Sequence, residues 1–387
     1  MRLSLLLAIL PVALAAPATK RDEPAPLHAA AVESAAIPGK YIVKFKKGSA
    51  SADNRMHIMA EHAEHVYTNV MQGFAGSLDA ETLKALRNHP DVEYIEQDAR
   101  VSINGWVTQP QSTWGLSRIS HRAKTAKGYT YDSSSGEGTC VYVIDTGIDD
   151  SHPDFGGRAL QVKSFVDGEP ADGHGHGTHC AGTIASNTYG VAKKTKVYGV
   201  KVLDNNGSGS WSNVIAGMDF VVNDSRERDC PGGTLASMSL GGGYSAAING
   251  GAAELVSSGV FVSVAAGNDN RDAANYSPAS EESACTVGAT TSADARSAFS
   301  NHGRIVDIFA PGSNILSLAP GGGTATMSGT SMAAPHIAGL AAYIGGLEGL
   351  TGGSICNRLV QLATRGTLAG IPGGTVNLLA FNGNPSG

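Results

Sequence analysis

Cys140-Val-Tyr-Val-Ile-Asp145-Thr-Gly-Ile-Asp-Asp150 is the stretch from which the fold can be read. Val141 to Ile144 is a short apolar run that stops at Asp145 and Gly147. A run of that length, bounded by a carboxylate and a glycine, fits a strand buried on both faces. Three further runs look the same: Val197–Leu203, Leu235–Leu240 and Val260–Ala265, each bounded by Gly, Asp or Asn. Helical patterns lie between them, from Ser212 to Asn223 and from Ala246 to Ser257. Strands alternating with helices predict an α/β fold whose mostly parallel sheet is covered on both faces. Ligands bind such sheets beyond the carboxyl ends of the strands. The residues there are Asp145 after Ile144, Gly241 to Gly243 after Leu240, and Asn268 after Ala266 and Gly267. They are predicted to gather on one edge.

Toward the N-terminus the pattern changes near Asn104-Gly105. Before it, Tyr41-Ile-Val-Lys-Phe45 and Val92-Glu-Tyr-Ile-Glu96 alternate as strands do. Asp79 can cap a helix through Leu83 and Leu86, and Ser51 to His65 suits a second helix. Residues 37–104 are therefore predicted to form a small cysteine-free α+β unit, and residues 105–387 the large α/β domain. Residues 17–36, rich in Ala and Pro, read as a flexible leader. Arg2, the apolar run Leu3–Leu10 and the small residues Ala13, Ala15 and Ala16 form a secretory signal peptide over residues 1–16. The chain is thus expected outside the cell. No later stretch reaches the ~20 apolar residues of a membrane span.

Hydrophobic residues make up 42% of the 387 and charged residues 16%, so a large core can be buried. The net charge is −6, and from Gly105 onward 17 basic against 22 acidic residues give −5. No basic face for a nucleic acid is evident. All five cysteines follow residue 139: Cys140, Cys180, Cys230, Cys285 and Cys356. Secretion permits disulfides, and an odd count leaves at least one thiol that spacing alone does not identify.

Three segments carry chemistry: Asp145-Thr-Gly-Ile148, Gly173-His-Gly-His-Gly-Thr-His-Cys-Ala-Gly182 and Gly329-Thr-Ser-Met-Ala-Ala-Pro335. A serine hydroxyl needs a base, usually His, and a carboxylate to orient that base. Ser331 is placed to open a helix running toward Ile344, whose N-terminus supplies free N–H groups beside the reacting atom; Pro335 is expected near its first turn. His176 sits among glycines ahead of a helical stretch, and Asp145 at a strand end. Zinc is the alternative use of His174, His176, His179 and Cys180, but no Cys-x-x-Cys or His-Glu-x-x-His accompanies them. An α/β-hydrolase order is excluded, because no Asp follows Ser331 and the only later Glu, Glu348, comes after His336.

These segments resemble the three active-site signatures of the subtilisin family, and of its proteinase K subfamily with the fungal extracellular proteases in particular. The similarity runs from about Trp114 to Ala380 and includes Val200-Lys-Val-Leu-Asp204, Ser239-Leu-Gly-Gly-Gly-Tyr244 and Thr375-Val-Asn-Leu-Leu-Ala380. It implies a three-layer subtilisin-like domain preceded by a ferredoxin-like, inhibitor-type propeptide that is cut off between about Ile103 and Val107. It implies a serine endopeptidase with Ser331 as nucleophile, His176 as base, Asp145 as its orienting carboxylate and Asn268 as oxyanion donor. Catalysis then needs no cofactor. The peptide substrate would lie as an added strand along Gly207 and Ser239, Leu240 and Gly241, with the first pocket walled further by Ala265 and Gly267. Small uncharged walls predict cleavage after apolar or aromatic residues. Trp211 would border an outer subsite or join the core. The resemblance pairs Cys140 with Cys230 and Cys285 with Cys356, leaving Cys180 free. It places one structural calcium ion at Asp307 with the carbonyls of Glu282 and Ala284, while a second site is lost because Thr367 and Arg122 stand at its ligand positions. Sequons begin at Asn206, Asn223 and Asn275, of which Asn223 is the expected glycan carrier. A monomer with no nucleic-acid or membrane partner is expected.

Overall fold

The computed structural model describes residues 23–30, 36–48, 62–99 and 105–387. The signal peptide, most of the leader, the body of the helix expected from Ser51 and residues 103–104 lie outside the described residues. Two compact units divide at Ser102/Ile103.

The first unit is a five-stranded sheet with one described helix. Its elements are β1 (Leu27–His28), β2 (Ala36–Phe45), β3 (His65–Tyr67), β4 (Gly73–Ser77), α1 (Ala80–Arg87) and β5 (Val92–Ala99), in sheet order β1-β5-β2-β4-β3. Asp79 accepts the Thr82 N–H at 2.7 Å and so caps α1 as its sequence position predicts. Val43, Phe45, Phe74, Leu86, Val92 and Ile95 form the core.

The second unit opens with β6 (Trp106–Gln109), α2 (Trp114–Ser120) and β7 (Tyr129–Asp132). The body of its sheet then builds from β8 (Cys140–Asp145), β9 (Ala159–Ser164), β10 (Lys196–Lys201), β11 (Thr234–Met238), β13 (Phe261–Ala265), β15 (Cys285–Thr290), β16 (Ile308–Pro311), β19 (Thr364–Arg365) and β20 (Leu378–Leu379). The order is β9-β10-β8-β11-β13-β15-β16-β20-β19, parallel throughout except for the terminal β19–β20 pair. The short pair β12 (Gly242–Gly243) and β14 (Tyr276–Ser277) and the hairpin β17 (Ile315–Ala319) with β18 (Gly323–Met327) stand apart from it. The chain passes from β8 outward to β9 and β10, then returns to place β11 on the opposite side of β8. The strand order reverses around β8, and that reversal opens a crevice at its carboxyl end, where Asp145 sits.

Alternation along β8 feeds two cores. Val141 and Val143 pack with Cys180, Ala181 and Ile184 of α3 (His176–Ala185) and with α6 (Thr330–Glu348). Tyr142 and Ile144 pack on the other face with Val214, Met218 and Val221 of α4 (Trp211–Asp224) and with Ile248, Ala252 and Leu255 of α5 (Ala246–Ser257). A last helix, α7 (Ser354–Leu362), follows α6. Every residue of α6 from Met332 to Gly345 is buried, as its apolar, Ala- and Gly-rich sequence requires. Pro335 is the sixth residue of α6, just past the first turn near which it was expected. The helix begins at Thr330, and the carbonyl that Pro335 leaves without a helical donor is taken by side chains from elsewhere.

Cys140 is bonded to Cys230 and Cys285 to Cys356, with Cα separations of 5.6 and 5.8 Å, while Cys180 is free and buried. No described helix is long and apolar enough to cross a membrane.

The closeness of α3 to the β17–β18 hairpin rests on Gly182. A Cβ there would lie 2.5 Å from Ser317 Oγ and 2.7 Å from Leu318 Cγ. Gly182→Ala is therefore expected to destabilise the protein by about 1–3 kcal/mol through overpacking. That is a fall of roughly 2–10 °C in unfolding midpoint, read by calorimetry at a fixed scan rate.

Candidate active site

Asp145 ends β8 with its side chain fully buried. Its Oδ1 accepts the Thr146 N–H at 2.7 Å and faces His176 Nδ1 at 2.7 Å. His176 is the first residue of α3. The approach is possible because Gly175 adopts φ +98° and because Gly177 has no side chain. A Cβ on Gly177 would fall 2.0 Å from the Gly147 carbonyl oxygen. The helix start is thus pressed onto the turn that follows Asp145.

Burial by itself would lower the His176 pKa. The charge of Asp145 and its hydrogen bond, with Asp172 adding, outweigh that and raise it above its ordinary 6.5. Cys180, one turn along α3, offers its sulfur within 4.8 Å of the facing atoms of Asp145 and His176. The same sulfur donates to the Ser331 carbonyl at 3.3 Å. The thiol thereby lies against all three groups, and burial pushes its own pKa well up.

Ser331 is the second residue of α6 and is half-buried. Its hydroxyl donates to the Ser239 carbonyl at 3.0 Å, and no hydrogen bond joins it to His176. Asn268 follows Gly267, whose φ is +99°. The Asn268 Oδ1 accepts both the N–H and the hydroxyl of Thr330, at 2.8 and 3.0 Å. Those two bonds fix which way the amide faces and leave its NH2 group as a donor.

A cleft of about 660 Å³ is lined by His174, His176, Gly207, Trp211, Ser239 and Leu240, among others. A second hollow of about 340 Å³ is lined by Leu240, Gly241, Ala265, Gly267, Asn268 and Ser331. Trp211 stands half-buried in the cleft wall. His179, by contrast, turns away to the β17–β18 hairpin, bonding the carbonyls of Ile315 and Ala325, and burial holds its pKa down at about 4.

Three supporting residues escaped the reading of the sequence. Asp172 is buried and accepts five hydrogen bonds, from Thr146 Oγ1, from the N–H groups of His174, Gly175 and Thr178, and from Thr178 Oγ1. It ties the start of α3 to the residue after Asp145. Its only sequence signal is a carboxylate just ahead of a glycine-rich helix start. Lys201, fully buried and in register with Asp145, donates to the carbonyls of Thr146 and Leu203 and to Asn205 Oδ1. Asn301 accepts the N–H groups of Asp269 and Arg271 and donates to the Ala266 carbonyl, which braces the Asn268 loop.

Away from the cleft, Asp307 is half-buried and accepts one hydrogen bond among the described residues, from the Thr286 N–H at 2.8 Å. Burial pushes its pKa up to about 6. A carboxylate so poorly compensated fits an oxygen-ligated cation. Asn223 is exposed in the last turn of α4.

The profile of the subtilase family matches residues 136–370, and that of the peptidase inhibitor I9 family matches residues 40–104. The chain is 60% identical over 388 residues to the cuticle-degrading protease of Metarhizium anisopliae, covering 99% of this chain and 100% of that one. The chain belongs to the subtilase family. It is 57% identical to proteinase R of Parengyodontium album, with 99% of each chain covered. The crystal structure of a cold adapted subtilisin-like serine proteinase superposes with a TM-score of 0.66 at 44% identity, covering 70% of this chain and 98% of the other. This subtilase is therefore a proteinase K-type serine endopeptidase with an inhibitor-type propeptide, a fold that needs no catalytic cofactor.

A histidine base works only in its neutral form, so with His176 in that role the raised pKa would move the activity to the alkaline side. With a short peptide substrate, kcat/KM should rise with pH along one ionisation centred above 6.5. Asp145→Asn should cut kcat by about 10⁴-fold and shift that midpoint down. A midpoint below 6.5 in the parent enzyme overturns this account of the pair.

Proposed function

We propose that Asp145, His176 and Ser331 form the triad of a secreted, self-maturing endopeptidase that cuts proteins after apolar or aromatic residues. The observation that carries this reading is the 2.7 Å contact of His176 Nδ1 with the buried Asp145 carboxylate, beside a serine at the start of α6. Ser331 Oγ rotates from the Ser239 carbonyl and attacks the scissile carbonyl carbon. His176 Nε2 takes its proton, and Asp145 holds the imidazole and stabilises the imidazolium. The oxyanion is met by the Asn268 NH2 group and the Ser331 N–H, each such donor being worth about 3–4 kcal/mol at the transition state. His176 then returns the proton to the departing amine, and water activated by the same base releases the acyl group.

The peptide is read as an added strand. Backbone groups of Gly207 and of Ser239, Leu240 and Gly241 pair with it, and the hollow bounded by Ala265 and Gly267 takes the first side chain. Its walls are small, which suits a broad apolar preference. Residues 37–104 act on the chain's own cleft as an inhibitor until the chain is cut at a bond between about Ile103 and Val107. The signal peptide over residues 1–16 directs export, Asn223 carries the glycan, and the mature domain is a monomer.

A structural calcium ion is assigned to Asp307, with the carbonyls of Glu282 and Ala284 as further ligands. It supplies no step of the reaction.

A fluorophosphonate should label Ser331 of the mature chain, located by peptide mass spectrometry, and Ser331→Ala should accumulate uncut precursor. Labelling elsewhere, or normal maturation of the variant, removes the assignment. Calcium should raise the unfolding midpoint. Without it, ionising Asp307 costs stability as the pH rises through about 6, because its folded pKa lies above the ordinary carboxylate value. The calcium gain should therefore grow from about pH 4 to about pH 7 and vanish in Asp307→Asn. A pH-independent gain, or one retained in that variant, places the ion elsewhere.

A further inference from the structure

Pro335 lies four residues after Ser331 within α6. In a regular helix the N–H of the fourth residue along bonds the carbonyl of the first. Proline has no N–H, so the Ser331 carbonyl has no helical donor. Two side chains from other elements reach it instead. Ser239 Oγ, just past the end of β11, donates at 2.9 Å, and Cys180 Sγ of α3 donates at 3.3 Å. The Ser331 hydroxyl donates back to the Ser239 carbonyl at 3.0 Å. Ser239 is only 4% exposed, so its hydroxyl makes this bond away from bulk water. A thiol is the weaker donor, which leaves the hydroxyl as the main hold on that carbonyl.

We propose that Ser239 is a positioning residue for the reaction, its hydroxyl replacing the helix N–H that Pro335 removes and thereby fixing the peptide planes from which Ser331 presents its Oγ and N–H. The proposal rests on Ser331 being the nucleophile. A carbonyl released inside a helix tilts toward any available donor and takes the neighbouring peptide planes with it. Displacing a reacting atom by about 1 Å costs on the order of 10²-fold in rate. The substrate contacts assigned to Ser239 use its backbone, whereas the hydroxyl is aimed at α6, so the two tasks separate on mutation.

The test uses the matured enzyme, with functional sites counted by a fluorophosphonate and rates given per counted site. Ser239→Ala should lower kcat about tenfold while KM changes less than about twofold, and Ser239→Thr, which keeps the donor, should recover most of the loss. Were the hydroxyl only structural, Ser239→Ala would lower the unfolding midpoint and the number of labelled sites with kcat per site unchanged; that result overturns the proposal. Pro335→Ala gives the helix its own N–H at residue 335. In that background Ser239→Ala should cost less than about threefold in kcat, because the Ser331 carbonyl has a second donor. An equal loss in both backgrounds overturns the proposal as well. The parent assignment is separable from it. A Ser331→Ala enzyme that is inactive and unlabelled, beside an unchanged Ser239→Ala enzyme, sinks this inference alone. A Ser331→Ala enzyme that still hydrolyses peptide removes both.

Discussion

The architecture of the large domain turns on a carboxylate that has no access to water. Asp145 closes the central strand of a sheet buried on both faces, and a bare carboxylate there is costly unless charge or hydrogen bonds answer it. The Thr146 N–H and the His176 ring both converge on Oδ1, whereas Oδ2 is buried with no partner among the described residues. The compensation is one-sided, and on the imidazole it falls on Nδ1. An imidazolium at His176 is thus stabilised, and the raised His176 pKa is the equilibrium expression of the same field.

Bringing that imidazole to the strand end demands the absence of side chains. The start of α3 reaches the Asp145 turn only because Gly177 lets its backbone lie against the Gly147 carbonyl. On the other side of α3, Gly182 admits Ser317 and Leu318, and Gly339 of α6 admits Val191. Two helices and a hairpin can therefore stack tightly enough for Cys180 to touch the groups around Asp145 and the Ser331 carbonyl together. The glycines that make the sequence look loose are the ones that make the site rigid, since each close approach excludes both water and alternative packing.

Much of this was legible before any coordinates. The apolar runs, the helices at α4 and α5 and the strand-end position of Asp145 follow from periodicity and punctuation, and their observed bounds differ from expectation by one or two residues. What escaped the sequence is what depends on distant partners. Nothing local marks Lys201 as a buried cation: it lies in an apolar strand and is explained by the carbonyls of Thr146 and Leu203, the Asn205 side chain and the Glu169 carboxylate 3.5 Å from its ammonium. Asp172 and Asn301 are likewise ordinary polar residues in loops until the backbone N–H groups they collect are seen. How α6 tolerates Pro335 was hidden for the same reason. A proline inside a helix is expensive when judged by its own helix, and tolerable when a neighbouring hydroxyl takes the orphaned carbonyl.

The supporting polar residues share one geometry, which explains why so few charges suffice. Asp172 collects donors from both the Asp145 turn and the α3 start, and Lys201 collects acceptors from both the Asp145 turn and the segment leading to Gly207. Each one ties the segments that carry Asp145 or His176 to residues that line the cleft. Moving His176 relative to Gly207 would break bonds to at least one buried charge, and leaving such a group unpaired costs more than any single surface contact returns. The alignment of His176 with the cleft is therefore enforced by the penalty for unsatisfied buried charge, and the apolar cores on either face of the sheet need only keep that penalty high by excluding water.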